Sequence, residues 1–261
     1  MRGVPAQLKE YAAQEMALAH GVRVRQSFKV DGRGFSLKRE PKRVPIVINS
    51  YNRVAYLERQ VAALRELGYE NLYVIDNAST YEPLLDYYER ENLRVFYLDA
   101  NVGYLSLWKT SVRKEFLSNY YVYTDPDILP AEECPDDFVR HFGEVLDRYP
   151  DAAKAGFGLK INDLPDSYAE RDGVVAHEQK FWQRRIAPGL FQAPIDTTLA
   201  LYRPSVSGGW WLPAVRTDAP YIARHLPWYA DSANPSEEDV FYRGSAEQLT
   251  HWTGNEARRG A

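Results

Sequence analysis

The pattern with the most chemistry in it is Asp125-Pro126-Asp127, set straight after Tyr-Tyr-Val-Tyr-Thr, a run that reads as a buried strand. Two carboxylates two residues apart at a strand end can share one hard divalent cation, Mn²⁺ or Mg²⁺. Such an ion prefers oxygen ligands and keeps positions open for phosphate oxygens. It would neutralise a diphosphate as that group's bond to another centre breaks. Taken alone, Asp-x-Asp is equally a turn followed by a cap. Its weight comes from three more polar segments that each follow an apolar run: Asn49-Ser50-Tyr51-Asn52-Arg53, Asp76-Asn77-Ala78-Ser79 and Asp99-Ala100-Asn101-Val102-Gly103. Each of these is also compatible with capping or turn formation, Asp99 or Asn101 ahead of Gly103 above all.

Those four segments need a scaffold that brings them to one edge, and the sequence between them supplies it. Ile46-Val47-Ile48 is a short β-branched run, and Val54 to Leu67 is an amphipathic helix stopped at Gly68. Leu72–Ile75 reads as a strand, Pro83–Arg90 as a helix, Arg94–Leu98 as a strand, Tyr104–Leu117 as a helix, Tyr120–Thr124 as a strand and Pro135–Arg148 as a helix. Strands with little alternation are buried on both faces, as in a parallel sheet. The expected fold is therefore α/β, an open, doubly wound, mostly parallel sheet whose ligands bind beyond the carboxyl ends of the strands.

On either side the pattern is looser. Pro5 to His20 has helical spacing ending at Gly21, and Val22–Leu37 alternates around Asp31-Gly32, a hairpin signal. After residue 150, Ala153–Ile161 and Thr197–Tyr202 read as strands, His177–Arg185 as a short helix, 163–173 as loop and the proline-rich 203–235 as ordered loop. Glu237–Arg243 reads as a helical turn or two, with Glu237, Glu238 and Asp239 as its solvated start.

Composition narrows the classes. The 261 residues carry a net charge of −4, which argues against nucleic-acid binding through bulk charge. A single cysteine, Cys134, excludes an internal disulfide and suits a reducing compartment. No apolar run approaches the roughly 20 residues of a membrane span, and no signal-peptide core is visible. The expectation is a cytoplasmic protein without a transmembrane segment. Arg23, Arg25, Lys29, Arg33, Lys38, Arg39, Lys42 and Arg43 form a locally basic stretch that reads as a solvated face or as a peripheral contact with anionic lipid. Phosphate-loop, dinucleotide-loop, zinc-spacing and nucleophile-elbow motifs are missing.

The four segments, in this order and spacing, resemble the glycosyltransferase A fold, and glycosyltransferase family 2 in particular. They are Val-Pro-Ile-Val-Ile-Asn-Ser-Tyr-Asn-Arg (44–53), Val-Ile-Asp-Asn-Ala-Ser-Thr (74–80), Asn-Val-Gly-Tyr (101–104) and Tyr-Thr-Asp-Pro-Asp-Ile (123–128). The resemblance implies a metal-dependent transferase that moves a sugar from a nucleotide diphosphate sugar, a UDP-sugar first of all, to a hydroxyl on a glycan or lipid-linked acceptor, with inversion. It implies that Ser50, Asn52, Arg53, Asp76 and Asn77 contact the nucleoside, and that Asn101 and Gly103 lie over the sugar nucleotide. It also implies that Asp125 and Asp127 hold the cation and contact the donor. Tyr104 and Leu105 follow the Asn-x-Gly segment where the family has a basic residue or glycine.

In such enzymes a later acid acts as base, for which Asp196, flanked by Thr197 and Thr198, is the candidate. A C-terminal histidine often joins the metal shell, which points to His225 or His251. Arg216 and Arg224 are candidates for pairing with the diphosphate, and Trp210, Trp211 and Trp228 for stacking on acceptor sugars. Residues 1–43 read as an extension. Residues 44–261 read as one domain, with a nucleotide-sugar half (44–130) and an acceptor half (131–261). A relative of the same fold that binds sugar or nucleotide without a working base remains the alternative. A nucleotidyltransferase is disfavoured, because Asn-Ser-Tyr-Asn-Arg stands where that class has a glycine-rich basic loop.

Overall fold

Side-chain parity along the central strands decides which layer each residue joins. The computed structural model describes residues 6–19, 21–25, 28–30 and 35–245. In chain order its elements are α1 (Ala6–Glu15), β1 (Ile46–Ser50), α2 (Ala55–Glu66), β2 (Leu72–Asp76), α3 (Glu82–Arg90), β3 (Arg94–Tyr97), α4 (Ser106–Lys109), α5 (Arg113–Phe116), β4 (Tyr121–Thr124), β5 (Ile128–Pro130), α6 (Phe138–Arg148), β6 (Lys154–Leu159), α7 (Arg171–Glu178), β7 (Arg185–Ala187), β8 (Leu190–Gln192), β9 (Ala200–Tyr202), β10 (Ala214–His225) and α8 (Glu237–Ser245). Ile46, Ile48, Val74 and Val122 point to one face, where they pack with Leu57, Val61 and Leu64 of α2, Leu84 of α3 and Phe138 and Phe142 of α6. Val47, Tyr73, Ile75, Tyr121 and Tyr123 point to the other, against Trp108 of α4, Phe116 of α5 and Ala12 of α1. Helices on both faces explain why β1, β2 and β4 are buried throughout.

The fold is mixed α/β around one ten-stranded sheet of order β3-β2-β1-β4-β9-β6-β10-β8-β7, with β5 paired to β10. The first half matches the expectation. β1 runs parallel to β2 and β4, and β2 parallel to β3, so the chain reverses its winding between β1 and β4. That switch point opens a crevice at the strands' carboxyl ends. The second half departs from a mostly parallel sheet. β9 is antiparallel to both β4 and β6, β8 is antiparallel to β10 and β7, and β10 is parallel only to β6.

Other expectations fail locally, each for a physical reason. The single helix over Tyr104–Leu117 is two one-turn helices, because Thr110 is extended and its hydroxyl bonds the Ser106 carbonyl in place of the helical ladder. The proline-rich 203–235 segment contains the longest strand, β10, whose pairing with β6 shifts register between Thr217 and Ile222, the stretch that holds Pro220. Proline at such an irregularity removes no ladder bond, so it does not mark loop here. The helix expected at His177–Arg185 lies earlier, as α7 plus a 3₁₀ turn at Gln179–Trp182, and β5 was not expected at all. At the N-terminus α1 ends at Glu15, six residues before Gly21. No strand forms among the described residues of 22–37, and the Asp31-Gly32 turn falls outside them. Instead Val24 bridges Leu98 beside β3 and covers that edge of the sheet. Within the basic stretch Lys38 pairs with Asp147, Lys42 with Asp136 and Arg43 with Glu40, while Arg33 lies outside the described residues. No helix among the described residues is long and apolar enough to cross a membrane.

The β6–β9 contact sets a sharp steric limit. A Cβ on Gly156 would meet Ala200 Cβ at 2.5 Å and the Leu199 carbonyl oxygen at 2.6 Å, and backbone cannot give way there. Gly156→Ala is expected to cost about 2–3 kcal/mol, read as a melting-temperature drop of roughly 5–10 °C by circular dichroism. An unchanged melting temperature would contradict the strand order at the centre of the sheet.

Candidate functional site

A chain of hydrogen bonds crosses the carboxyl ends of the central strands. From the loop after β3, the Val102 amide donates to Asn77 Oδ1 (3.2 Å). Asn77 Nδ2 donates to Asn49 Oδ1 (2.6 Å), which also accepts from Ser106 Oγ (2.5 Å). Asn49 Nδ2 in turn donates to Asp125 Oδ1 (3.3 Å), and Thr197 Oγ1 donates to Asp125 Oδ2. The Asp125 amide donates to the Thr197 carbonyl (3.0 Å). Four segments far apart in sequence are therefore linked, directly or in series, to Asp125. Behind it Gln60, fully buried on α2, donates to the carbonyls of Asp125 (2.8 Å) and Ile128 (2.6 Å) and fixes the Asp-Pro-Asp turn. Nothing in the sequence marked Gln60 beyond a polar residue on the apolar face of α2.

His225 reaches this turn through strand pairing. β5 follows Asp127 directly, and its Ile128 is in register with His225 at the end of β10. The imidazole Nε2 lies 3.4 Å from Asp127 Oδ2, and the ring packs on Trp228 at 4.6 Å. Burial acts to raise both carboxyls of the motif, but their surroundings separate them. Asp125 is raised well above the usual range, with the charge of Asp127 adding to burial. Asp127 ends below it, because His225 and Arg53 outweigh burial. The buried polar atoms without a partner around this turn include Asp127 Oδ1, Arg53 Nη1 and His225 Nδ1, as well as Gln60 Oε1 and Trp228 Nε1. Buried polar atoms without partners are rare in folded proteins.

The loop after β1 is occupied in a way the sequence did not reveal. Asn52, at φ +49°, accepts from the Thr80 and Tyr81 amides (2.8 and 3.1 Å) and donates to Ser245 Oγ (2.9 Å). Arg53 faces Asp239 at 3.4 Å and lies under the Tyr242 ring at 4.1 Å. Glu238 accepts from the Val54 and Ala55 amides (2.8 and 2.9 Å), which caps α2, a helix with no cap of its own. Its own carboxyl is raised by burial against the pull of those two amides. Glu238 and Asp239 therefore form a clasp between α8 and the β1 loop rather than a solvated helix start, while Glu237 is exposed as expected. Asn52 is fully engaged inside the chain. Asp76, 1% exposed, accepts from the Ser79 amide and the Tyr88 hydroxyl (both 2.9 Å) and shapes the turn after β2. Ser50, fully buried, sits opposite Asp76 in the β1–β2 register. Asn101 bonds the Gly103 amide (2.9 Å) in an exposed turn at which Gly103 has φ +79°.

Asp196 lies open to solvent just before Thr197, and its charge acts on Asp125. Protein packed around it raises its carboxyl, while Lys154 and Arg216 pull the other way. Lys154 is completely buried on β6 and donates to the Tyr202 hydroxyl (2.9 Å), the Gly209 carbonyl (3.0 Å) and the Asp196 carbonyl (3.4 Å). Burial lowers its ammonium despite the charge of Asp196. Several expected partners lie elsewhere. Arg216 is buried against Glu178 at 2.7 Å and Arg224 pairs with Asp163 at 2.8 Å, so neither is free for a diphosphate. Trp211 and Trp228 are buried and only Trp210 is exposed. His251 falls outside the described residues.

No protein-family profile and no curated protein matches the sequence. Among solved structures 44 chains match. One of them, the crystal structure of S. aureus TarS residues 1–349, is 16% identical over 62% of this chain and 47% of its own, with a TM-score of 0.39. The chain thus spans about half the length of that structure, and the functional reading rests on the site itself.

The α8 clasp has a measurable weight. Glu238→Ala leaves two helix-terminal amides unbonded and is expected to cost about 1–2 kcal/mol in chemical denaturation. Glu238→Gln, which keeps an acceptor oxygen, should restore most of it. Equal stability of all three proteins would contradict the clasp.

Proposed function

We propose that the chain is a glycosyltransferase that takes a sugar from a nucleoside diphosphate sugar, with a uridine donor as the first candidate, and passes it to a hydroxyl acceptor with the help of a divalent cation. The observation that carries this reading is the group of unpartnered buried atoms at the β1/β4 switch point, Asp127 Oδ1, Arg53 Nη1 and His225 Nδ1. The charge of Arg53 acts on Asp127, so an anionic and a cationic group serve one place, as a cation–diphosphate pair requires.

The donor chemistry fits a hard cation with few protein ligands. Among the described residues no group of three or more His, Cys, Asp or Glu side chains is arranged to hold a metal. Asp125, Asp127 and His225 are therefore not a closed cage. Mg²⁺ or Mn²⁺ bound through one or two carboxylates, with phosphate oxygens completing its shell, suits such a site. Asp127 would hold the ion, with Asp125 or His225 beside it. When bound, the ion would neutralise charge on the departing diphosphate. Arg53, kept in place by Asp239 and Tyr242, would direct its free Nη1 to a phosphate oxygen.

Asp196 would act on the other side of the sugar. A carboxyl raised by its surroundings is a stronger base once ionised. It would accept the proton of the acceptor hydroxyl while that oxygen bonds the anomeric carbon and the bond from that carbon to the diphosphate breaks. The nucleoside diphosphate leaves with the bonding pair, and the anomeric configuration inverts.

Thermal melts with UDP, GDP and CDP, each with and without Mn²⁺, test the reading. A ligand at about a hundred times its Kd adds roughly 2.7 kcal/mol, a shift of about 5–10 °C for a chain this long. The expected result is a UDP shift that needs Mn²⁺ and is abolished by Asp127→Ala. Flat curves for all three nucleotides with metal would favour a non-catalytic binding protein and turn the search to glycans.

A further inference from the structure

Two cations are buried in the second half of the sheet, and they are held differently. In the parallel pairing of β6 and β10, Ala214 stands beside Lys154 and Arg216 beside Gly156. Alternation along each strand therefore puts Lys154 and Arg216 on the same face. Arg216 is neutralised inside the protein by Glu178, at 2.7 Å. Lys154 has no exposed surface either, but its three hydrogen bonds all go to neutral oxygens. A buried ammonium without a carboxylate against it costs more than an apolar side chain in the same place, so packing alone does not account for Lys154.

What Lys154 bonds gives the reason. Its acceptors are the Tyr202 hydroxyl on β9 (2.9 Å), the Gly209 carbonyl in the turn before β10 (3.0 Å) and the Asp196 carbonyl in the segment before β9 (3.4 Å). The Gly209 turn is a firm anchor, since a Cβ there would stand 3.0 Å from the buried Trp211 ring. The segment around Asp196 is gripped on both sides as well. Arg216 Nε donates to the Pro194 carbonyl (2.6 Å), and Ile195 is fully buried. The Asp125 amide donates to the Thr197 carbonyl (3.0 Å), and the Thr197 hydroxyl to the Asp125 carboxylate. Two buried cations and one amide thus hold the carbonyls of Pro194, Asp196 and Thr197. The Asp196 side chain is left exposed, one residue from the partner of the Asp-Pro-Asp turn.

We propose that Lys154 is a positioning residue for Asp196, which ties the 194–197 segment to β9 and to the Gly209 turn and sets a positive charge inside the sheet next to that residue. The proposal rests on the transferase reading above, in which Asp196 takes the proton of the acceptor hydroxyl. A base that must meet one hydroxyl gains from a fixed backbone, because misplacement by an ångström can cost about a hundredfold in rate. The charges agree with the contacts. Burial lowers the Lys154 ammonium to about 7, Asp196 acts to raise it, and Arg216 lowers it further. Tyr202, the other titratable group bonded to Lys154, is pushed well up by burial and stays neutral. In return Lys154 is the foremost group that opposes burial at the Asp196 carboxyl.

The test uses the full chain, with the Lys154 side chain followed by ¹³C NMR and the backbone by amide hydrogen exchange. The Lys154 ε-carbon should titrate near pH 7 in the wild type. Asp196→Asn, an exposed change, should lower that midpoint by about one pH unit, because the carboxylate favours the ammonium. Lys154→Met should quicken exchange by about tenfold at 195–198 and 208–211 and leave β1 and β2 protected. Lys154→Gln, which keeps a donor without the charge, takes its place if the methionine variant does not fold. The Mn²⁺-dependent UDP melt shift should be the same in these variants as in the wild type, since Lys154 bonds none of Asp127, Arg53 and His225. A midpoint that Asp196→Asn does not move overturns the proposal. So does exchange that quickens nowhere, or across the whole sheet, and so does a UDP shift lost in a folded Lys154 variant. UDP melts on the wild type keep the two readings apart. A moved midpoint without UDP binding removes only the transferase reading, and UDP binding with an unmoved midpoint removes only the role of Lys154.

Discussion

A carboxylate set deep among other protein groups must have its oxygens bonded, and the way Asp125 meets that demand organises the crevice. Its oxygens accept from Asn49 and Thr197, its amide donates to the Thr197 carbonyl, and its carbonyl accepts from Gln60. These bonds join β1, α2, β4 and the segment before β9, so the two halves of the sheet are locked at the point where the winding reverses. Asn77 and Asn49 extend the lock to the loops after β2 and β3. With Asp125 used in this way, Asp127 two residues on is held at a fixed place with one oxygen left over. The paired carboxylates are thus held differently, one with both oxygens bonded and one with an oxygen unpartnered, and their pKa shifts run in opposite directions.

The second constraint is α8. It caps α2 through Glu238, holds Arg53 through Asp239 and Tyr242, and bonds Asn52 through Ser245. Helix α8 therefore stabilises the loop that opens the crevice and holds Arg53, whose charge acts on Asp127. Arg53 Nη2 faces Asp239 at 3.4 Å while its Nη1 has no partner. An arginine with no partner would lose more side-chain entropy on meeting a phosphate than one already held.

Much of the first half was legible from the sequence, because a parallel sheet writes itself plainly. Apolar strands, helices stopped at residues such as Gly68, and polar strand ends recur at regular spacing, and the Rossmann-like order follows. The second half was not legible, because most of its strands are short, most of its pairings are antiparallel and β10 is interrupted at Pro220, so no period survives. The same limit applies to the site. Asp125, Asp127 and Asn49 stood out by type and place. The roles of Gln60, Lys154 and Glu238 arise from long-range contacts of otherwise ordinary residues. Lys154 lies within an apolar strand with two glycines, and a buried lysine there was a signal the sequence did contain.

The central claim is that the free oxygen of Asp127 exists to bind a cation together with a nucleoside diphosphate. A crystal grown with UDP and Mn²⁺, with data collected at a wavelength where manganese scatters anomalously, addresses it directly. The account predicts one anomalous peak within coordination distance of Asp127 Oδ1, with diphosphate oxygens on its far side and Arg53 Nη1 bonded to one of them. Manganese elsewhere, or UDP bound away from the β1/β4 crevice with Asp127 Oδ1 still unpartnered, would contradict it.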